Sequence, residues 1–342
     1  MDVRIAEGSP NGLICAPEVI SHAALLHAEL PSARPLVAGL IDDASRVILA
    51  GPPGTGKTWL ALDLARAVAS GGSWLGHLPV NQAPVLYVDE ESHARGLQAR
   101  LTLLDKGSPL ADDVPLGFAV GHGLRIDAAA PRRNLDRMIQ DYRPGLVIFD
   151  SLTRVHGANE NDAGQMADVF ANFEQIRREY QCTVLLIDHL RKKGMINDQE
   201  EMLRGSTEKR AWPDSIIFTT PAERGSLTIS HIKARFGERL ADFSVAVTVD
   251  NDAGTASLHH KGNAPSQNEA KADDLIAAIH ALQTQLGPDG ADACTIAAWL
   301  DVSDDTVRRR AKKLVAASIL VERRSETNGR PKSVYDVRGG WE

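Results

Sequence analysis

Cysteine is scarce in this chain of 342 residues: the three present, Cys15, Cys182 and Cys294, are far apart and never form a CxxC pair. Such spacing and an odd count exclude a disulfide framework and a cysteine-held metal, and point to a reducing compartment. No apolar run approaches the roughly 20 residues that a membrane-spanning helix needs. A basic segment followed by an apolar one, the mark of a secretory leader, is also missing from the first residues, so the expected location is the cytoplasm. Excess positive charge is absent too. The formal net charge is −7, which argues against a protein coated in nucleic acid. It leaves room for a local basic surface, because phosphate attraction depends on where the charges sit.

What is present is an ordinary globular composition, 43% hydrophobic and 24% charged, over a length that fits one large and one small domain. Residues 1–35 are rich in Pro and Ala, with a short helical stretch near Pro17–Glu29, and read as an N-terminal extension packed on, or swapped between, subunits. A core domain is expected over 36–260. Its strand-like runs are Arg46–Ala50, Pro84–Val88, Leu116–Val120, Leu146–Asp150, Thr183–Asp188, Ser215–Thr219 and Leu227–Lys233. The first five alternate with helical patterns, the signature of a parallel sheet covered on both faces. Leu227–Lys233, Phe243–Val249 and Thr255–His260 follow one another without long helices and predict an antiparallel edge. Residues 261–271 read as a linker, and 272–342 as a second unit of three helices and two short strands.

Gly51, Pro52, Pro53, Gly54, Thr55, Gly56, Lys57 and Thr58 spell GPPGTGKT, directly after the apolar strand RVILA and before a helical pattern. This is a phosphate loop. Its glycines let backbone N–H groups turn inward around phosphates, and the helix N-terminus adds partial positive charge. Lys57 is expected to reach the β- and γ-phosphates of ATP, and Thr58 to place its hydroxyl on Mg²⁺. The second metal-side carboxylate is Asp150, at the end of LVIFD. A carboxylate must also orient and deprotonate the attacking water. Asp150 is followed by Ser151 rather than by a second acid, whereas PVLYVDEES ends another strand in Asp89, Glu90 and Glu91. Glu91 is the first choice of base and Glu90 the second. The other reading of the three acids is a cap, and nothing more, for the helix that begins after Ser92.

The segments GPPGTGKTWLALDLARAVASG, VLYVDEESHARGLQARL, LVIFDSLTRV, TVLLIDHLRKKG, LRGSTEKRAWPDSIIF and IKARFGERLADF occur in that order. In these the chain resembles the RecA/DnaB-like ATPases, and within them the RepA-type hexameric helicases and related AAA_25-like ATPases. The resemblance implies a RecA-like α/β core and a γ-phosphate sensor at His189. It further implies two cations, Lys233 and Arg235, that reach across to a neighbouring subunit's ATP. Alternation along a strand puts both on one side. In the relatives two loops grip single-stranded DNA. Here they are 152–165 and 190–207, and their basic residues are Arg154, His156, Arg191, Lys192, Lys193 and Arg204. With no aromatic residue for base stacking, they suit a backbone grip without sequence preference.

Beyond the linker, Cys294–Leu300, Asp301–Val302 and Ser303–Ala317 read as helix, tight turn, helix, with Ser303 as N-cap. Two short strands follow, and together they predict a winged helix-turn-helix. From Thr306 to Lys332 nine Lys/Arg face two Glu, a local balance of +7. Thr306, Arg309, Arg310 and Lys313 share one helical face suited to a major groove, with Arg330 and Lys332 on the wing. A winged helix used for protein contact is the other reading. The leading expectation is a ring helicase, hexameric, that hydrolyses ATP between subunits and moves along single-stranded DNA in replication of plasmid, phage or mobile-element DNA. A replication initiator protein is its expected protein partner. The alternative is an ATP-gated DNA-binding regulator or recombination mediator that unwinds nothing.

Overall fold

The computed structural model describes residues 19–29, 34–189, 207–222, 225–250, 252–264, 267–289, 291–327 and 330–338. The chain divides into two compact units, Met1–Ala264 and Pro265–Glu342. In the first, helix α1 (His22–Leu26) is capped by Ser21 and buries none of its residues. The helical stretch expected near 17–29 is thus confined to a single turn and a half within the described residues.

A nine-stranded sheet forms the core of this unit. Its strands are β1 (Arg46–Gly51), β2 (Val85–Asp89), β3 (Leu116–Val120), β4 (Leu146–Asp150), β5 (Thr183–His189), β6 (Ser215–Pro221), β7 (Ser226–Ala234), β8 (Phe243–Asp250) and β9 (Thr255–Asn263). Their spatial order is β9-β8-β7-β6-β1-β5-β4-β2-β3. The six strands from β6 to β3 in that order are mutually parallel, and β7, β8 and β9 add an antiparallel edge beside β6. β2 and β4 are buried at all five positions. That is why they read as continuous apolar runs rather than as alternating ones: both faces are covered.

Helices α2 (Lys57–Ser70) and α3 (Ala94–Gly107) cover one face, where Leu60, Leu64 and Leu97 meet Val47, Leu49, Ile148 and Ile187. On the other face, α4 (Ala129–Tyr142) and α5 (Ala163–Tyr180) present Leu135, Ile139, Phe170 and Phe173 to Ile48, Val147, Phe149 and Leu186. Phe149 and Phe173 meet edge-on at 5.1 Å. Each such fully buried aromatic contributes about 1.5–3 kcal/mol by burial, and Phe149→Ala would cost about 3–5 kcal/mol. Gly107, ending α3, lies so close to β9 that a Cβ there would meet the Ala256 carbonyl oxygen at 2.5 Å. Only glycine lets the helix end against the strand. A further short helix, α6 (Thr207–Ala211), precedes β6.

The second unit has its own core. Helix α7 (Gln267–Leu286) contributes Leu275, Ile279 and Leu282. Helix α8 (Ala293–Leu300) starts at Asp292, whose carboxylate accepts from Cys294 N and Thr295 N, and stops at Asp301 in the left-handed region. After three residues, α9 (Asp304–Ala316) begins at the Ser303 cap and buries Val307, Ala311 and Leu314. The hairpin β10 (Leu320–Thr327) with β11 (Arg330–Val337) closes the core through Leu320, Val334 and Tyr335. Among the described residues no helix is long and apolar enough to cross a membrane.

Candidate nucleotide site

The loop between β1 and α2 sits at the carboxyl end of the parallel strands. Gly54 and Gly56 take positive φ values of 80° and 69°, which L side chains rarely adopt. Gly56 is the N-cap of α2 and no side chain caps that helix, so the first-turn N–H groups are left to an anion. Thr55 fixes the loop: its Oγ1 lies 2.8 Å from the Pro52 carbonyl oxygen and 2.7 Å from Thr219 Oγ1 on β6. Lys57 is 3% exposed and donates to the carbonyls of Gly51 and Pro52 at 2.9 and 2.8 Å. Burial pushes its ammonium down to about 8, against the pull of Asp188, Asp150 and Glu91.

Asp150, 1% exposed, ends β4 beside this loop. Its Oδ2 accepts from Thr58 Oγ1 at 2.9 Å and from Tyr87 OH at 2.8 Å. Its Oδ1 is buried without a hydrogen-bond partner. Burial raises the Asp150 carboxyl above the ordinary range; hydrogen bonds from Tyr87 and Thr58 oppose the rise, and the neighbouring Asp89 charge adds to it. An orphaned carboxylate oxygen next to a threonine hydroxyl is a hard-oxygen donor set, which fits Mg²⁺. Tyr87 has no counterpart in the sequence reading. It lies two residues before Asp89 on a strand whose residues all read as core.

The structure separates Glu90 from Glu91. The Glu90 carboxylate accepts three backbone N–H groups, from His122 (3.2 Å), Gly123 (2.9 Å) and Leu124 (3.0 Å), and so holds the turn after β3. Asp89 caps the next turn, accepting from Glu91 N and Ser92 N, while α3 itself is capped by His93. Glu91 alone of the three turns its carboxylate to the site, with Oε2 2.9 Å from His189 Nε2. Burial disfavours its charged form. The hydrogen bond to Ser151, the interactions with His189 and the charge of Arg154 outweigh that, and hold the carboxyl below its usual range. Glu91, Asp150 and His189 offer ligand atoms that all lie within 4.8 Å of one another.

Lys233 and Arg235 lie at the other end of the sheet. Lys233 pairs in register with Ile216, and Ile216 with Ile48, three residues before Gly51. Lys233 Nζ donates to the carbonyls of Arg210 and Ala211 at 2.5 and 3.2 Å, and Arg235 Nη2 to that of Ala211 at 2.8 Å. Arg235 also pairs with Asp214 at 3.3 Å. Burial, then the Arg235 charge, lowers the Lys233 pKa.

Of the basic residues expected on the first loop, Arg154 ends a short 3-10 turn at Leu152–Arg154 and is exposed. His156 is not a surface group: it is 7% exposed, and its Nδ1 accepts from Ala158 N. Arg191, Lys192, Lys193 and Arg204 lie outside the described residues. In the second unit the buried stripe of α9 leaves Arg309 and Lys313 exposed, with Thr306 and Arg310 half-buried. Lys332 pairs with Asp292 at 3.2 Å, and Arg323 with Asp289 and Asp336. These three acids fall outside the window that gave +7, so the positive surface is weaker than the linear count and is concentrated on α9. Arg330 belongs to β11, and its side chain lies outside the described residues.

A mostly parallel sheet with a phosphate loop at its carboxyl end makes this a P-loop ATPase with a RecA-like core. The AAA domain family (AAA_25) matches residues 15–195, over half of the chain, and the protein belongs to that family. Among solved structures, a KaiC-like protein from the hyperthermophilic archaeon Pyrococcus horikoshii OT3 is similar at 15% identity and a TM-score of 0.44, over 67% of this chain and 98% of that one.

Proposed function

We propose that the protein is an ATP-driven DNA motor of the RepA/DnaB-like kind, a homo-oligomeric ring, hexameric as in the relatives it resembles, that hydrolyses ATP between subunits and moves along single-stranded DNA. The observation that carries the proposal is the sheet register. Lys233 is three strand positions from Gly51 along β1, about 10 Å at 3.3 Å per residue, and Arg235 is further still. Neither can serve the phosphates of its own loop, and this supports a role toward those of a neighbour. Lys57 is the one cation in the GPPGTGKT loop itself to face the triphosphate. A second cation supplied in trans stabilises the charge of the transferring phosphoryl, worth about 10³–10⁵ in rate.

In this reading the first-turn N–H groups of α2 and Lys57 bind the β- and γ-phosphates. Thr58 and Asp150 would hold Mg²⁺, which would neutralise phosphate charge when bound. Glu91 takes the proton of the water that attacks the γ-phosphorus, and ADP departs as the β–γ bridging bond breaks. His189, hydrogen-bonded to Glu91, reports the γ-phosphate. Arg154, exposed beside Glu91, brings a DNA-binding loop to the mouth of the site.

We read the second unit as a winged helix that anchors the motor on duplex DNA, with Thr306, Arg309, Arg310 and Lys313 on the groove-facing side of α9. That unit also supports a second reading, a nucleotide-gated DNA-binding regulator or recombination mediator. Strand displacement on a forked DNA substrate separates the two. The motor requires ATP-dependent release of the displaced strand, with hydrolysis stimulated by single-stranded DNA. Stimulated binding with no displacement supports the regulator, and hydrolysis indifferent to DNA contradicts both.

A further inference from the structure

Helix α6 is pinned from two directions by charged side chains of different strands. Lys209 points inward and is 4% exposed. Its Nζ donates to both oxygens of Asp188 at 2.9 Å and to Glu160 Oε2 at 3.2 Å. Asp188 is fully buried, immediately precedes His189 at the end of β5, and lies in register with Ala50 at the root of the phosphate loop. Immediately after Lys209, the carbonyls of the last two residues of α6, Arg210 and Ala211, receive Lys233 and Arg235. A helix C-terminus carries partial negative charge and suits cations. The next residue, Trp212, stacks on Phe170 of α5 at 5.0 Å and fixes where the helix ends.

These contacts form one mechanical chain. A buried ion pair moves as a unit, because separating its partners would leave an uncompensated charge in a low-dielectric interior. Helix α6 is only about 7.5 Å long at 1.5 Å per residue, and Lys209 is separated from the cation-holding carbonyls by no more than one residue. A displacement of the strand end at Asp188–His189 therefore reaches the carbonyls that hold Lys233 and Arg235. We propose that α6, through Lys209, relays between successive ATP sites: the Asp188–Lys209 pair ties it to the strand that ends at the subunit's own γ-phosphate, and its carbonyls aim the two cations offered to the neighbour. Lys209 is a positioning residue and touches no nucleotide. The inference rests on the reading that Lys233 and Arg235 act in trans, and it adds the element that would make one site's occupancy felt at the next.

The test is the shape of the ATPase rate against ATP concentration in the assembled full-length protein. Wild type is expected to give a sigmoidal curve. Replacing Lys209 alone would strand a buried carboxylate and endanger folding, so the decisive variant is the double change Asp188→Asn with Lys209→Gln, an amide pair of similar shape. It is expected to give a hyperbolic curve with kcat within a few-fold of wild type, while Lys209→Arg retains the sigmoid. A merely structural pair would lower the melting temperature and kcat and leave the curve's shape intact, and that outcome overturns the relay. A hyperbolic wild type overturns it as well. Mixing Lys57→Ala with Arg235→Ala subunits tells the two failures apart. No recovery of activity removes the reading in trans, whereas recovery alongside an unaltered sigmoid in the double variant removes the relay alone.

Discussion

At the carboxyl end of the parallel strands, Asp150 is buried and leaves one carboxylate oxygen without a partner. At the opposite end, Asp214 is nearly as buried, yet it accepts from the Arg46 backbone N–H at 3.1 Å, from its guanidinium at 2.9 and 2.5 Å, and from Arg235. The two ends carry similar residue types under similar burial. An unpartnered buried carboxylate oxygen costs stability, so its persistence beside the phosphate loop marks a place built to be completed by something the chain does not supply. The satisfied cluster at the far end ties β1 to the chain at Asp214 and Arg235.

The largest expected effect that sharpens this contrast is at the site end. Glu91→Gln should bind ATP and Mg²⁺ but lower kcat by about 10²–10⁴-fold, the usual worth of a general base. Glu90→Gln, which loses only part of a cap on the 122–124 turn, should keep kcat within a few-fold and lower stability by about 1–3 kcal/mol. A dead Glu90→Gln beside a live Glu91→Gln would exchange their roles.

A second pair of variants contrasts the two ends directly. Asp150→Asn keeps an oxygen for Tyr87 and Thr58 while removing a charge that burial already disfavours. Thermal melting without nucleotide should therefore show it at least as stable as wild type, with ATPase activity lost. Asp214→Asn removes the anion of Arg235 and leaves Arg46 only the longer pair with Glu174 at 3.7 Å, and should cost about 1–3 kcal/mol, with nucleotide affinity unchanged. If both variants lose stability alike, the contrast fails.

The smallest effect is one of pH. Lys57 is held down to about 8 in the free protein, and phosphates placed against it favour the protonated form. Below pH 8 the lysine is charged in both states and affinity should be flat. Above pH 8 binding must take up a proton, so affinity should fall about tenfold per pH unit until the pKa of the bound state is reached. Calorimetry at pH 9 in buffers of different ionisation enthalpy would detect the proton. Identical heats in all buffers would contradict the assignment of Lys57 to the phosphates.

Much of the fold was legible because it is written locally. The apolar runs, the loop GPPGTGKT and the carboxylate ending LVIFD are short motifs whose meaning depends on a strand before and a helix after. The parts that could not be read are tertiary pairings. Asp188 and Lys209 are separated by the 190–206 segment, and Lys209 within STEKRAW has the look of a solvated helix cation. Tyr87 reads as one more core residue until Asp150, 63 positions away, is brought to its hydroxyl. Glu90 and Glu91 are adjacent in sequence, and only the path of the backbone decides which one faces the site. The charge count over 306–332 overstated the positive surface for the same reason, since Asp289, Asp292 and Asp336 reach in from outside the counted window.

In the ring we propose, the phosphate loop of one subunit and the far-end cations of another make a single site. Mixing two inactive variants, Lys57→Ala and Arg235→Ala, tests it most directly. A Lys57→Ala subunit still offers Arg235 to the intact loop of an Arg235→Ala neighbour, so ATPase activity should reappear on mixing and vanish on dilution below assembly. Absence of recovery despite demonstrated subunit exchange, or full activity in a dilute wild-type monomer, would contradict it.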